Sequence, residues 1–310
     1  MPKKIIFMGT PIFAVPILKS LYQNGYPISV VYTQPPQKSQ RGQKINKSPV
    51  QGISETLNID FRCPKTLRDN DKEYNFIKEL NADLAIVVAY GQIIPENFLN
   101  LTKKGFINIH ASILPKWRGA APIQRSIMKL DTETGISIMK INKELDSGPI
   151  SNIYKIKINY NNNAQEISEK LSLLAAEKIL DNIDDIFEDK IQFIDQEHSK
   201  ATYAKKIDKN EGKINWSDKA INIIGKINGL FPIPGAFFIF NGERYKILKA
   251  EIGNGIGKAG EVLTDKLEIA CSHNQSIKIL EIQRQGKKVQ KIGEFLLGSQ
   301  IKKGAVISNA

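Results

Sequence analysis

The sequence predicts an α/β domain built on a mainly parallel sheet covered on both faces, followed by a small antiparallel β-barrel domain of OB-like type. Three observations lead there. Short apolar runs alternate with helical patterns through the first half, a long amphipathic stretch follows, and beyond residue 206 alternating runs are punctuated by Asn-Gly and Gly clusters. A chain of 310 residues exceeds what one ordinary core organises, which favours two domains. Hydrophobic residues at 41% and charged residues at 25% suit a globular protein and exclude a peptide hormone, a lone small module or a globally disordered chain.

The elements follow in order. KKIIFMG is an apolar run ending in Gly9, and Thr10-Pro11 reads as an N-cap with Pro at the first helical position, so strand, tight turn and helix are expected. ISVVYT (28–33), LAIVVA (84–89) and FINIHA (106–111) are further strand candidates, separated by helical patterns such as EYNFIKEL and APIQRSIMKL. From Ala164 to Asp189 the spacing predicts the longest helix, with Leu173, Ala176, Leu180, Ile183 and Phe187 on one face. The division that results is a first domain over 1–189, a polar connection over 190–205 and a second domain over 206–310. In the last, AFFIF, YKILKAEI, GEVLT, KLEIACS and SIKILEIQ read as strands, and helical spacing is confined to about 217–228.

Lys and Arg number 44 against 32 Asp and Glu, and the +12 is uneven: +5 over residues 1–205 but +7 over 206–310. A nucleic-acid or phosphate-rich partner fits that balance. Cys63 and Cys271 stand alone, without CxxC spacing, so neither a disulfide framework nor a zinc site is indicated, and a reducing cytoplasm is the expected location. Lys3-Lys4 followed by IIFMGTPIFAVPIL superficially resembles a signal peptide, but Pro11 and Pro16 interrupt the run. No apolar stretch reaches membrane-spanning length, so no membrane partner is expected.

Gly255, Gly257 and Gly260 match the spacing of the dinucleotide fingerprint, yet EVLTDKLEIACS follows as a strand pattern where a helix is required, so GIGKAG reads as a turn. The informative segment is INIHASILPKWRGAAPIQ (107–124). Asn108 and His110 lie two apart at the end of a strand and project to one side. An amide donor beside an imidazole suits the oxyanion of acyl transfer, although an isolated NxH is also an ordinary polar pair. Asp146 follows GISIMKIN in a loop ended by Gly148-Pro149, from which a carboxylate can reach back to His110 or stay in solvent. There is no GxSxG elbow and no HExxH, which disfavours a covalent acyl-enzyme and leaves direct attack by an amine. QPPQKSQRGQKINKSP (34–49), with four basic residues and no acid, reads as a long flexible loop suited to clasping phosphate or polynucleotide.

Taken together, Asn108, His110, Ser112-Ile113-Leu114-Pro115, Trp117-Arg118-Gly119-Ala120-Ala121-Pro122-Ile123-Gln124 and Asp146 resemble the methionyl-tRNA formyltransferase family. The likeness extends through Met8-Gly9-Thr10-Pro11, Arg41-Gly42, Ala201 to Ile207, Ile214-Asn215-Trp216 and Pro234-Gly235-Ala236, and so covers essentially the whole chain. It implies a Rossmann-like formyltransferase domain followed by an OB-like tRNA-binding domain. It further implies transfer of the formyl group of 10-formyltetrahydrofolate to methionine on initiator methionyl-tRNA, with no metal and no obligate protein partner. Asn108, His110 and Asp146 match the family's catalytic triad, Ser112, Ile113, Leu114 and Pro115 its folate-contacting motif, and Arg41, Gly42 and Lys44 its tRNA-reading loop. Two departures stand out: the loop surrounds Arg41 with Gln and Asn where a more basic run is usual, and INGLFPIPGAFF carries Asn228 and Ile233 where Arg and Trp are frequent.

Two other readings use the same residues. One is a folate-dependent formyltransferase acting on a small amine, or a formyltetrahydrofolate hydrolase; the basic 34–49 loop and the charge of the second domain count against it. The other is an RNA-binding protein on a decayed scaffold, against which the intact Asn108, His110 and Asp146 argue.

Overall fold

A computed structural model describes residues 3–39, 44–299 and 301–309. Close packing divides them into two units. One holds residues 1–119, 135–156 and 168–203, the other 120–134, 157–167 and 204–310.

In the first unit the apolar runs are strands: Ile5–Gly9 (β1), Ile28–Tyr32 (β2), Phe61–Arg62 (β3), Leu84–Val88 (β4), Phe106–His110 (β5), Glu133–Lys140 (β6) and Ile150–Lys157 (β7). They form one sheet in the order β7-β6-β5-β4-β1-β2-β3. The pairs β1/β2, β2/β3, β1/β4 and β4/β5 are parallel, whereas β6 runs antiparallel to β5. Every residue of β1 and β4 is buried, as befits central parallel strands with both faces covered. The chain builds outward from β1 through β2 to β3 and then returns to lay β4 on the other side of β1. That reversal makes the carboxyl ends of β1 and β4 the switch point of the sheet, the usual ligand position in such folds.

Local signals explain most helices. Pro49–Thr56 (α2 in the chain, after Val15–Gln23 as α1) has Pro at its first turn and Ser48 as N-cap, whose side chain accepts from Gln51 N. Asp71–Leu80 (α3) is capped by Asn70, carries Asp71 and Glu73 in its first turn and Lys78 in its last, and ends at Asn81 in the left-handed region. Glu73 is buried beneath it, accepting two hydrogen bonds from Arg62 (2.6 and 2.7 Å) and one from Tyr32 Oη (2.8 Å).

Three local expectations are corrected. Thr10 does not cap a helix: its hydroxyl donates to Tyr90 O (2.7 Å) and accepts from Gln34 N (3.2 Å), and a 3-10 turn over Ile12–Ala14 precedes α1. The expected long loop over 34–49 contains a short hairpin, Gln37–Ser39 against Lys44–Asn46, and its last residue already begins α2. In Ala164–Phe187 the expected Ala176, Ile183 and Phe187 are buried, but Leu173 is 64% exposed, and Ile167, Leu171, Ala175 and Ile179 complete the buried face. The run LSLLAAEKIL offers two overlapping apolar stripes, and packing chose between them: Ser172 Oγ donates to Phe13 O and Ser20 Oγ to Ala176 O, turning that face toward α1.

In the second unit Ala236–Phe240, Glu243–Gly253, Gln275–Arg284 and Glu268–Cys271 form an antiparallel sheet in that order, with Gln290–Lys291 added to the third. Its core gathers Trp216, Phe238, Tyr245, Ile247, Ile277 and Phe295. GIGKAG is a turn between strands, tied by Gly255 N donating to Glu268 Oε1 (2.8 Å). GEVLT forms only isolated bridges, and a short helix over Ile292–Leu296 adds to the expected one at Ala220–Gly229.

The helix Pro122–Met128 also belongs to this unit and packs on Ala220–Gly229, where Gly229 permits the approach. A Cβ there would lie 2.5 Å from Met128 Cγ and 2.9 Å from Gln124 O. Gly229→Ala should therefore destabilise the protein by about 1–2 kcal/mol in urea unfolding, overpacking outweighing the gain of roughly 1 kcal/mol in helix propensity.

For Glu73, burial raises the carboxyl pKa, but the hydrogen bonds from Arg62 and Tyr32 and the Arg62 charge outweigh it and leave the value below the ordinary one. A depressed folded value contributes stability above the unfolded carboxyl pKa of about 4.3, and that contribution is lost as pH falls through the folded value. Glu73→Gln should cost roughly 3 kcal/mol at neutral pH, the low end for breaking a buried pair, with the gap to wild type closing on acidification. Denaturant titrations at several pH values check this.

Candidate active site

Strand β5 brings Asn108 and His110 to the sheet's carboxyl end on one side of the strand, alternating with buried Ile107 and Ile109. His110 is 7% exposed. Its Nδ1 faces Asp146 Oδ2 at 3.7 Å, and its Nε2 lies 3.0 Å from Trp117 O. Both ring nitrogens thus face acceptors, one at hydrogen-bond distance and the other just beyond it. The Asn108 carboxamide is half-buried and makes no hydrogen bond to a described residue, so its NH2 is available to a ligand.

Asp146 arrives from the loop between β6 and β7, with φ at 47°, in the left-handed region. Its Oδ2 accepts from Gly119 N at 2.7 Å. Gly148, two residues on, lies against the Lys140 carbonyl so closely that any Cβ would collide, which is why the loop needs glycine there. The loop is held from behind by Gln196, whose Nε2 donates to Asp146 O (2.9 Å) and Gly148 O (2.7 Å).

Ser112, Ile113, Leu114 and Pro115 form the turn that leaves β5. Ser112 and Leu114 are buried, Ile113 and Pro115 half-buried. Ser137, which pairs with His110 across β5 and β6, donates to Ser112 O (2.7 Å) and accepts from Leu114 N (3.1 Å). Ser112 Oγ in turn donates to Lys116 O (2.7 Å). One hydroxyl on the neighbouring strand therefore sets the path of the whole turn.

The structure thus brings Asn108, His110, Asp146 and the 112–115 turn to one end of the sheet. Arg41 and Gly42 lie outside the described residues, and Lys44 is described only by its backbone, in Lys44–Asn46. Asn228 is buried and its Nδ2 donates to Tyr160 O (2.9 Å), so the amide fills a structural position, whereas Ile233 is exposed. Sequence reading missed Ser137, Gln196 and the role of the Trp117 carbonyl. Only membership of the informative motif singled out Trp117; Ser137 and Gln196 carry no local signal, because their partners lie 23 to 78 residues away.

Comparison with known proteins bears on the fold and the family. Residues 3–183 match the family model described as formyl transferase, and 206–300 that of the formyl transferase C-terminal domain. The chain is 67% identical over 309 residues to methionyl-tRNA formyltransferase of Pelagibacter ubique, with all of both chains covered. It is 40% identical over 304 residues to the enzyme of that name from Jannaschia sp., covering 98% of this chain and 99% of the relative. Among solved structures, an N-formyltransferase from Helicobacter canadensis in complex with folinic acid and dTDP-3-aminofucose shares the fold at a TM-score of 0.70 and 21% identity, covering 92% of this chain and all of that one.

Replacing Ser137 with Ala leaves buried Leu114 N and Ser112 O without their partner. A loss of about 1–3 kcal/mol in equilibrium unfolding is expected.

Proposed function

The chain belongs to the methionyl-tRNA formyltransferase family, and from that premise we propose how it transfers the formyl group of 10-formyltetrahydrofolate to the α-amino group of initiator methionyl-tRNA. The observation that carries the reading is the convergence of the free Asn108 carboxamide and the His110–Asp146 pair at the carboxyl end of β5. An unengaged NH2 donor beside an imidazole fits a carbonyl ligand, and both lie at the carboxyl end of the sheet, where ligands of such folds usually bind.

Asn108 donates to the formyl oxygen as its C–O bond becomes single. His110 adds a second donor through Nε2, the formyl oxygen taking the place that Trp117 O occupies in the free protein. Asp146 holds the ring by its Nδ1 edge and stabilises the charge on it. A C–N bond forms between the amine and the formyl carbon, the bond from that carbon to N10 of the folate breaks, and the His110–Asp146 pair passes the proton lost by the amine to N10. The 112–115 turn, fixed by Ser137, lines the folate side.

The two-domain division carries the rest of the reading: residues 1–189 perform the chemistry, with Gln196 of the 190–205 connection bracing their Asp146 loop, and 206–310, with their excess of basic residues, together with Arg41, Gly42 and Lys44, engage the tRNA. No described helix is long and apolar enough to cross a membrane, and a cytoplasmic location suits an enzyme of translation initiation.

A radiolabelled formyl assay with charged initiator tRNA, charged elongator tRNA and free methionine tests the reaction and its selectivity together. Initiator methionyl-tRNA should react fastest by a wide margin, and equal rates with free methionine would favour a small-amine enzyme. Asn108→Ala should lower kcat by about a hundredfold or more, the usual cost of one oxyanion donor, while tRNA affinity measured by filter binding stays near wild type.

A further inference from the structure

Gln196 lies outside any helix or strand, just beyond the bridge that pairs Ile194 with Ile150, and is 6% exposed. Every hydrogen-bonding position of its amide is used. Oε1 accepts from Arg118 Nε (3.1 Å) and from a terminal guanidinium nitrogen (2.7 Å), while Nε2 donates to the carbonyls of Asp146 and Gly148. The orientation of the amide is forced, because turning it over would set its donors against the guanidinium and its acceptor against two carbonyls. Arg118 is 2% exposed, and the other neighbour its guanidinium meets is His198 Nδ1, at 3.4 Å. A buried cation thus anchors an amide, and the amide grips the Asp146 loop on both sides of Ser147.

That grip acts where the loop needs it. Asp146 holds a left-handed backbone, a conformation that aspartate adopts more readily than most L residues and that the two carbonyl contacts from Gln196 help to keep. The carboxylate that follows from this backbone is the one facing His110 Nδ1. We propose that Gln196, itself held by Arg118, is a positioning residue for formyl transfer, fixing the backbone of Asp146 so that its carboxylate stays on the Nδ1 edge of His110. The inference rests on the role assigned above to Asp146.

The test uses Gln196→Glu in the full-length enzyme. Glutamate keeps an acceptor for Arg118 and replaces the donors that hold the loop by an acceptor facing two carbonyls. The expected result is a kcat ten- to a hundredfold lower with KM for folate donor and tRNA within twofold of wild type, alongside a lower thermal midpoint because two buried hydrogen bonds are lost. In an Asp146→Ala background the same substitution should cost less than a further twofold, since it acts through a carboxylate already gone. Should Gln196→Glu fail to fold, Gln196→Met removes the donors without adding charge and is judged by the same criteria. If Asp146→Ala abolishes turnover but the Gln196 variants retain it, the proposal is overturned alone. It is equally overturned if the losses multiply in the double variant, or if KM and midpoint change while kcat holds. If Asp146→Ala itself keeps wild-type turnover, the reading of the triad falls and this proposal with it.

Discussion

The imidazole of His110 is held between two acceptors, a carboxylate on one nitrogen and a main-chain carbonyl on the other, and much of the surrounding structure serves to keep those acceptors in place. Neither comes from the strand that carries the ring. Asp146 belongs to a loop 36 positions on in the chain, and the Trp117 carbonyl to the turn that leaves the strand. Holding polar groups of such different origin around a nearly buried ring requires that each loop have its own hydrogen-bonded support. Gln196 supplies it for one, and for the other Trp117 N donates to Thr202 Oγ1 at 2.9 Å and Arg118 N to Thr202 O.

The sheet explains why this happens at one end of the domain. Parallel strands deliver their carboxyl ends to a common edge, and the strand order reverses there between β1 and β4, as at the ligand-binding edge of such sheets generally. The antiparallel strand β6 then contributes something a parallel neighbour at that place would not: it pairs Ser137 with His110 and so carries a buried hydroxyl to the turn just beyond the catalytic strand. One strand both extends the sheet and stiffens the segment that the family resemblance assigns to folate. Its other end leads into the Asp146 loop, so Ser137 and Asp146 both descend from the same hairpin-like excursion.

Likeness to the formyltransferases operates at two levels. Full-length identity to methionyl-tRNA formyltransferases covers both family regions, including the second, whose antiparallel sheet closes on an aromatic core of its own. Similarity to the Helicobacter canadensis enzyme is a likeness of fold. Asn228 illustrates how composition and role part: it stands where the resemblance leads one to expect arginine, and its side chain is spent inside the unit on the Tyr160 carbonyl.

The sequence by itself determined the two-part architecture, the central strands of the first sheet, the turn identity of GIGKAG, and the placing of Asn108 and His110 on one side of a strand, because each rests on a short-range periodicity of two or about 3.6 residues or on one motif read whole. It also marked Asp146 through the Gly148-Pro149 break that ends its loop. Tertiary structure decided what lay between equally good local choices: which of two apolar stripes of Ala164–Phe187 is buried, whether Thr10 caps a helix or ties strand ends together, and that residues 120–134 pack with the second unit. It alone decided the supports of the site, since Ser137, Gln196 and Arg118 meet their partners across 23 to 80 residues, where no local spacing constrains them and only the packed chain brings donor to acceptor.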